Sequence, residues 1–127
     1  MIIYILYIIL SPILWLLLHI TIIFHKKIRI RSISYSKLFL LAQNRIKKTK
    51  KRVILFHAAS NGELEQLKPL FRKIDREKYF ILLTISSPSS IHNISNKEID
   101  CFCYQAFDFP WSTYRFFNNI KPEKYII

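Results

Sequence analysis

The fold that this sequence predicts is decided by the stretch VILFHAASNGE, residues 53–63. It opens with four apolar residues, the length expected of a short buried strand, and continues into a polar loop that contains Gly62, the one glycine of the chain. Residues 63–74 then place apolar side chains at helical spacing, although Pro69 predicts a kink or a later start for that helix. Strand, loop and helix in this order form the unit from which α/β sheets are built.

The same alternation continues along the chain. We predict three more strands and one more helix: strands at residues 79–83, 101–104 and 124–127, and a helix at residues 111–119. Strands that alternate with helices indicate an α/β fold, in which a parallel sheet has helices on its faces. The ligand crevice of such a sheet lies beyond the carboxyl ends of its strands, where the loops at 57–63, 84–90 and 105–110 fall.

Residues 2–24 form an apolar segment without a charged side chain. As a helix it would cover about 35 Å, which exceeds the roughly 30 Å of a bilayer's hydrocarbon core. A cleaved signal peptide is the rival interpretation, but the segment lacks both a positively charged start and a small-residue cleavage site. We therefore predict a retained transmembrane anchor at residues 2–24, either single-pass or monotopic.

The positive charge of the chain is concentrated beside this anchor. Residues 26–52 contain eleven Lys or Arg and no Asp or Glu, whereas residues 53–127 contain nine basic and eight acidic residues. The positive-inside rule then predicts that everything after the anchor is cytoplasmic. We divide the rest of the chain into a basic amphipathic juxtamembrane segment, 25–52, and a partial domain, 53–127. The helical pattern at 33–46 predicts a helix that either lies on the membrane or docks on that domain.

Composition also bears on the classes of ligand. The basic charge adjoins an apolar anchor and does not recur through the folded part, so we expect no nucleic-acid partner. Cys101 and Cys103 are too close for a disulfide framework and would point to one side of a strand as free thiols. The four histidines show no metal-ligand spacing, and we expect no metal and no cofactor.

The string from Ser60 to Glu63 allows two interpretations. Ser60 followed three residues later by Glu63 is a capping box, in which both side chains satisfy free backbone N–H groups at a helix start. The functional interpretation uses the same geometry: a helix N-terminus favours the negative charge of a carboxylate, which could then act as a general base. Gly62 would let a ligand approach the backbone closely.

At this string the sequence resembles the Kdo transferases, glycosyltransferases that attach 3-deoxy-D-manno-octulosonic acid (Kdo) to lipid A precursors. That family has a His-Ala-x-Ser-x-Gly-Glu motif after its first strand, and five positions match it at the same spacing: His57, Ala58, Ser60, Gly62 and Glu63. Further matches follow in the family's order, namely Pro69-Leu70, Thr84 with the hydroxyl-bearing Ser87 and Ser89, Asp108-x-Pro110, Arg115-Phe116 and Pro122. The resemblance covers essentially the whole chain but only the N-terminal part of a family member.

The resemblance implies the incomplete, Rossmann-like N-terminal half of a GT-B glycosyltransferase, preceded by one transmembrane helix. It implies that Glu63 is the general base for an inverting transfer, with the acceptor-side residues being Ser60, Gly62, Thr84, Ser87 and Ser89. The implied donor substrate is CMP-Kdo, and the implied partners are a lipid A precursor, whose phosphates would meet basic residues, and the bacterial inner membrane. If the gene is split, a separate C-terminal half is a further partner.

Two departures from the family pattern limit this expectation. Ser90 stands where the family has glycine, and the family's Glu-x-Glu-x-Trp-Pro segment would follow Ile127, together with the donor domain. We therefore expect residues 1–127 alone to be inactive. The alternative is a non-catalytic, membrane-anchored basic module or a decayed gene product.

Overall fold

The computed structural model describes residues 1–127 and contains four α-helices, four strands and one short 3-10 helix. In chain order these are α1 (Ile2–Phe24), α2 (Lys26–Lys48), β1 (Arg52–Ala58), α3 (Asn61–Phe71), β2 (Tyr79–Ile85), the 3-10 helix (Pro88–Asn93), β3 (Cys101–Tyr104), α4 (Pro110–Ile120) and β4 (Lys124–Ile126). All four predicted strands are present, so the α/β prediction is confirmed.

The four strands form one parallel sheet in the order β3-β2-β1-β4. The chain moves outward from β1 to β2 and β3, and then returns across the sheet to β4 on the other side of β1. The strand order therefore reverses between β1 and β4. Ligands of open α/β sheets bind at such a switch point, outside the carboxyl ends of the strands.

Alternate residues of the strands face two separate apolar cores. On one face Val53 and Leu55 pack with residues of α2 and α4, and on the other face Ile54 and Phe56 pack with residues of α3. Strands buried on both faces read as continuous apolar runs, which explains the sequence of β1. Cys101 and Cys103 are buried on the same face as free thiols, as predicted.

Helix α2 docks on the sheet and completes one of its two faces. Phe39 and Ala42 are buried in that core, and the Phe39 ring stacks on Phe116 of α4 with 5.4 Å between centroids. Arg45 donates a hydrogen bond of 2.7 Å to the backbone oxygen of Asp100, just before β3. Of the two predicted alternatives, docking is the one observed, and the helix is longer than the predicted range of 33–46.

Helix α1 is long and apolar enough to cross a membrane, by its length and composition. Pro12 lies within it, and Ser11 is its one buried residue. Its other side chains leave a large apolar surface exposed, which is typical of a segment that meets lipid or another protein. The Tyr7 hydroxyl also donates a hydrogen bond to the backbone oxygen of Asp108, in the loop after β3.

Helix α3 differs from its prediction at both ends. It begins at Asn61, earlier than the predicted start at 63, because Ser60 caps the preceding turn. It ends at Phe71, two residues after Pro69, and not at the predicted Ile74. Pro69 therefore lies in the last turn of this helix, where it has no N–H to donate to the oxygen of Glu65, and the helix ends two residues later.

Candidate functional site

The three loops at the carboxyl ends of the strands lie side by side, as the sequence predicts. Ala58 pairs with Ile85, and Ile85 pairs with Tyr104, so β1, β2 and β3 end at the same level. The backbone N–H of Ser86 donates to the oxygen of Ala58 over 3.2 Å, which ties the second loop to the first. The loop that follows β1, residues 59 and 60, and the first turn of α3 adjoin the switch point of the sheet.

Ser60 caps the start of α3 as predicted, but the Glu63 carboxylate bonds to the residue before the N-cap and not, as a capping box requires, to Ser60 itself. The backbone N–H of Glu63 donates to Ser60 Oγ over 3.3 Å, and Glu63 Oε2 accepts a hydrogen bond of 2.6 Å from the backbone N–H of Ala59. Both side chains are exposed. Glu63 Oε1 accepts no hydrogen bond from the protein, so a carboxylate held by one oxygen presents the other to solvent.

His57 on β1 and Thr84 on β2 form a polar pair near the carboxyl ends of these strands, and His57 is half-buried. Thr84 Oγ1 donates to the backbone oxygen of Phe56 over 3.0 Å and lies 3.1 Å from His57 Nδ1. Since the one hydroxyl hydrogen is used on Phe56, Thr84 accepts from an Nδ1–H, and His57 Nε2 is left as an acceptor. The hydroxyl of Ser86 lies 3.4 Å from that Nε2. Thr84 itself is fully buried.

The charge state of His57 agrees with this tautomer. Burial lowers the pKa of His57 below its ordinary value, and the positive charge of Arg31 lowers it further. The carboxylate of Glu63 and the hydrogen bond with Thr84 oppose this shift. His57 is therefore neutral at neutral pH, and its pKa depends on the charges of both Glu63 and Arg31.

Arg31 is the residue at this edge that the sequence did not reveal. It lies on α2, where the sequence suggests only one of eleven solvated cations, but docking of the helix brings it to the loop after β3. Its Nη2 donates to the backbone oxygen of Gln105 over 2.8 Å, and its guanidinium carbon lies 4.4 Å from the ring centroid of Phe107. Burial lowers its pKa, yet a guanidinium remains a cation. The sequence spacing of residues 26–52 does not distinguish Arg31 from the other cations, and only the docking of α2 on the sheet does.

The remaining predicted site residues differ in accessibility. Ser87 is half-buried and Ser89 is exposed, and their hydroxyl oxygens are 2.7 Å apart. Ser90, which replaces a glycine of the motif, is buried, and its hydroxyl has no hydrogen-bond partner. Gly62 has no positive φ, and a Cβ built on it would meet only Ser60 Oγ, at 3.9 Å. The backbone at Gly62 is therefore open to an approaching group.

One protein-family model matches most of the chain. The family model described as 3-deoxy-D-manno-octulosonic-acid transferase (kdotransferase) matches residues 33–127. No curated protein and no solved structure matched the chain. The matched range begins within α2 and includes the whole sheet, so it covers the loops that carry Glu63, Ser87 and Ser89. Because the match covers most of its length, the chain belongs to the 3-deoxy-D-manno-octulosonic-acid (Kdo) transferase family of glycosyltransferases.

Proposed function

We propose that this chain forms the acceptor side of an inverting glycosyltransferase that moves Kdo from CMP-Kdo to a lipid A precursor. The observation that carries the proposal is the position of Glu63. Its carboxylate is exposed at the carboxyl end of the sheet, beside the switch point, and is oriented through one oxygen by the backbone of Ala59.

In this proposal Glu63 is the general base. Its free oxygen, Oε1, takes the proton of an acceptor sugar hydroxyl, and the hydroxyl oxygen forms a bond to the anomeric carbon of Kdo. The bond between that carbon and the phosphate oxygen of CMP breaks, and CMP leaves as its phosphate anion. Attack opposite the leaving group inverts the anomeric configuration. In the proposal a separate donor domain supplies the binding site for CMP-Kdo.

The other site residues have supporting roles in acceptor binding. Ser60 accepts from the Glu63 N–H and keeps its own hydroxyl hydrogen for a ligand. Ser87 and Ser89 share one hydrogen between their two oxygens, so the second hydrogen is free to be donated. Thr84 is buried, and in the proposal it acts through His57 and not by direct contact with the acceptor.

The proposed location is the cytoplasmic face of the bacterial inner membrane. Helix α1 provides the apolar anchor, and residues 26–52, with eleven cations, follow it in the chain. Arg31 and Arg45 are among those that bond to the folded domain, and the cations of this segment without such a bond are the ones proposed to meet the membrane. Each Lys or Arg near an anionic leaflet contributes about 1 kcal/mol to membrane attachment. This arrangement holds the site near a lipid-borne acceptor.

The cap at the start of α3 supports a second candidate, a non-catalytic anchored module. Ser60 and Glu63 already satisfy backbone donors at the start of α3, so their presence is explained without chemistry. The two candidate functions differ in what they predict for Glu63→Gln, which removes the charge but keeps a side-chain oxygen for the cap. The transferase would lose its base, whereas the non-catalytic module would be unaffected.

The proposal is tested by transfer assays with CMP-Kdo and a lipid A precursor in detergent micelles. Residues 1–127 alone are expected to give no product, and addition of a separately expressed donor domain from the same family is expected to give turnover. The donor domain alone is the control. Turnover by residues 1–127 alone would contradict the proposal. The donor domain is first shown to be active with the acceptor half of another family member. No turnover when this active donor domain is added to residues 1–127 would also contradict the proposal.

A further inference from the structure

A continuous groove runs between α2 and α4 on the face of the sheet opposite α3. It consists of two adjoining cavities of about 290 and 210 Å³, both lined by Tyr35, Ser36 and Ser112. The larger cavity extends to Arg115, and the smaller one extends to Trp15 on the anchor helix. We name the two cavities together the α2–α4 groove.

The two ends of the groove differ in chemistry. At the anchor end the apolar side chains of Leu18, Ile22 and Phe109 line the cavity together with the polar side chains of His19 and Ser32. At the other end Arg115 is exposed, and its guanidinium forms neither an ion pair nor a hydrogen bond within the protein. No Asp or Glu lines either cavity. An unpaired cation thus lies at the end of a passage that begins at a lipid-facing helix.

The middle of the groove offers neutral hydrogen-bond donors. Burial raises the pKa of Tyr35 to about 12, so its phenol keeps its proton at neutral pH. The hydroxyls of Ser36 and Ser112 and the amide of Gln43 also line the larger cavity. One guanidinium together with neutral donors is a set suited to a phosphate diester, because it supplies one positive charge and further hydrogen bonds.

We propose that the α2–α4 groove binds an anionic glycerophospholipid of the surrounding bilayer. The phosphate lies at Arg115, and an acyl chain follows the apolar lining toward Trp15 and α1. The groove lies on the α2 and α4 face, and its lining includes none of the residues that are proposed to act in transfer. The proposal therefore does not depend on the proposed transferase mechanism.

Trp111 lines the larger cavity and provides the probe for a test. The chain has two tryptophans, so Trp15→Phe leaves Trp111 as the single tryptophan. The full chain with this change is placed in phosphatidylcholine vesicles that contain a minor fraction of acyl-brominated lipid. The brominated lipid is either phosphatidylglycerol or phosphatidylcholine, at equal content. Bromine quenches tryptophan fluorescence only at short range, so quenching reports a lipid held beside Trp111.

We expect brominated phosphatidylglycerol to quench Trp111 more than brominated phosphatidylcholine. Arg115→Gln should remove this excess, and Arg115→Lys should retain part of it. Lys73→Gln is the matched control, because it removes one exposed charge from the α3 side and should leave the excess unchanged. Circular dichroism confirms that each variant is folded.

Two results would overturn the proposal. One is equal quenching by both brominated lipids, or an excess that persists in Arg115→Gln. The other is loss of the quenching when unbrominated lipid A precursor is added, since this would make the groove part of the acceptor site. Quenching that lipid A precursor leaves unchanged supports the phospholipid.

Discussion

The carboxylate of Glu63 accepts a hydrogen bond from the backbone N–H of Ala59 over 2.6 Å. This bond joins the first turn of α3 to the residue that follows β1. One side chain therefore serves as a helix cap and, in the proposed mechanism, as the base. Substitutions at and around Glu63 separate its structural contribution from its chemical one.

Ser60→Ala tests the structural contribution of the N-cap. It removes the oxygen that accepts from the Glu63 N–H, and loss of an N-cap costs about 1 kcal/mol of unfolding free energy. Urea unfolding in detergent micelles measures the change. Ser89→Ala is the control, because Ser89 is exposed and bonds only to Ser87, so its stability should be close to that of the parent chain. Equal stability of the two variants would show that the cap contributes nothing.

Gly62→Ala separates folding from ligand approach. A Cβ at this position meets no atom closer than 3.9 Å, and alanine favours a helix over glycine by about 1 kcal/mol. We expect stability to be unchanged or increased and the affinity for a lipid A precursor to fall, because the methyl group occupies the open space above the backbone. Isothermal titration measures that affinity. Unchanged binding would show that no ligand comes close to Gly62.

The pKa of His57 should respond in opposite directions to its two charged neighbours. Arg31→Gln removes a positive charge and should raise the pKa, whereas Glu63→Gln removes a negative charge and should lower it. Arg31→Lys keeps the charge and serves as the control. NMR titration of the histidine ring protons measures all three. An identical His57 pKa in the two charge-removing variants would show that these two charges do not shift it in opposite directions and would contradict the prediction.

The lowered pKa of His57 also predicts a pH dependence of stability. The unfolded chain binds a proton at His57 near the ordinary pKa of about 6.5, and the folded chain binds it only at lower pH. His57 therefore contributes stability that is present above about pH 6.5 and is lost as pH falls through the folded pKa. Urea midpoints at neutral and mildly acidic pH should differ less in His57→Gln than in the parent chain. An equal difference in both would exclude His57 as a source of the pH dependence.

Asp100→Ala should destabilise the amino end of the sheet. Asp100 accepts hydrogen bonds from the backbone N–H of Ile81 over 2.7 Å and from Arg76 over 2.9 Å. Leaving a half-buried donor unsatisfied costs about 1–3 kcal/mol. Glu77→Ala removes the same charge from an exposed side chain with no side-chain partner, and should change stability by less than about 0.5 kcal/mol. The prediction is wrong if both variants unfold at the same urea concentration.

Much of the fold was predictable because apolar patterns report burial directly. The run of Val53 to Phe56 indicated a strand buried on both faces, and Cys101 and Cys103 indicated one side of another strand; both are observed. The N-cap at Ser60 is local, so the spacing of Ser60 and Glu63 alone identified it. The end of α3 was less predictable, because Pro69 can lie in a last turn as well as at a kink.

The parts that sequence did not reveal depend on tertiary docking. Arg31 looks like any other cation of residues 26–52, and only the packing of α2 against β3 brings it to Gln105 and close enough to lower the pKa of His57. Thr84 looked like a loop residue available to the acceptor, but β2 extends to Ile85 and buries it. The length of a strand depends on its hydrogen bonding with neighbouring strands, and the local sequence pattern carries no information about that pairing.

The most direct test of Glu63 as the base is a comparison of transfer rates for Glu63→Gln and Glu65→Gln, each supplied with the separate donor domain. Glutamine keeps a side-chain oxygen for the Ala59 N–H but cannot take a proton, so kcat should fall by about 10²–10⁴-fold. Glu65 lies on the same helix and pairs with Lys68, so its substitution should leave kcat nearly unchanged. A Glu63→Gln variant as active as Glu65→Gln would contradict the account.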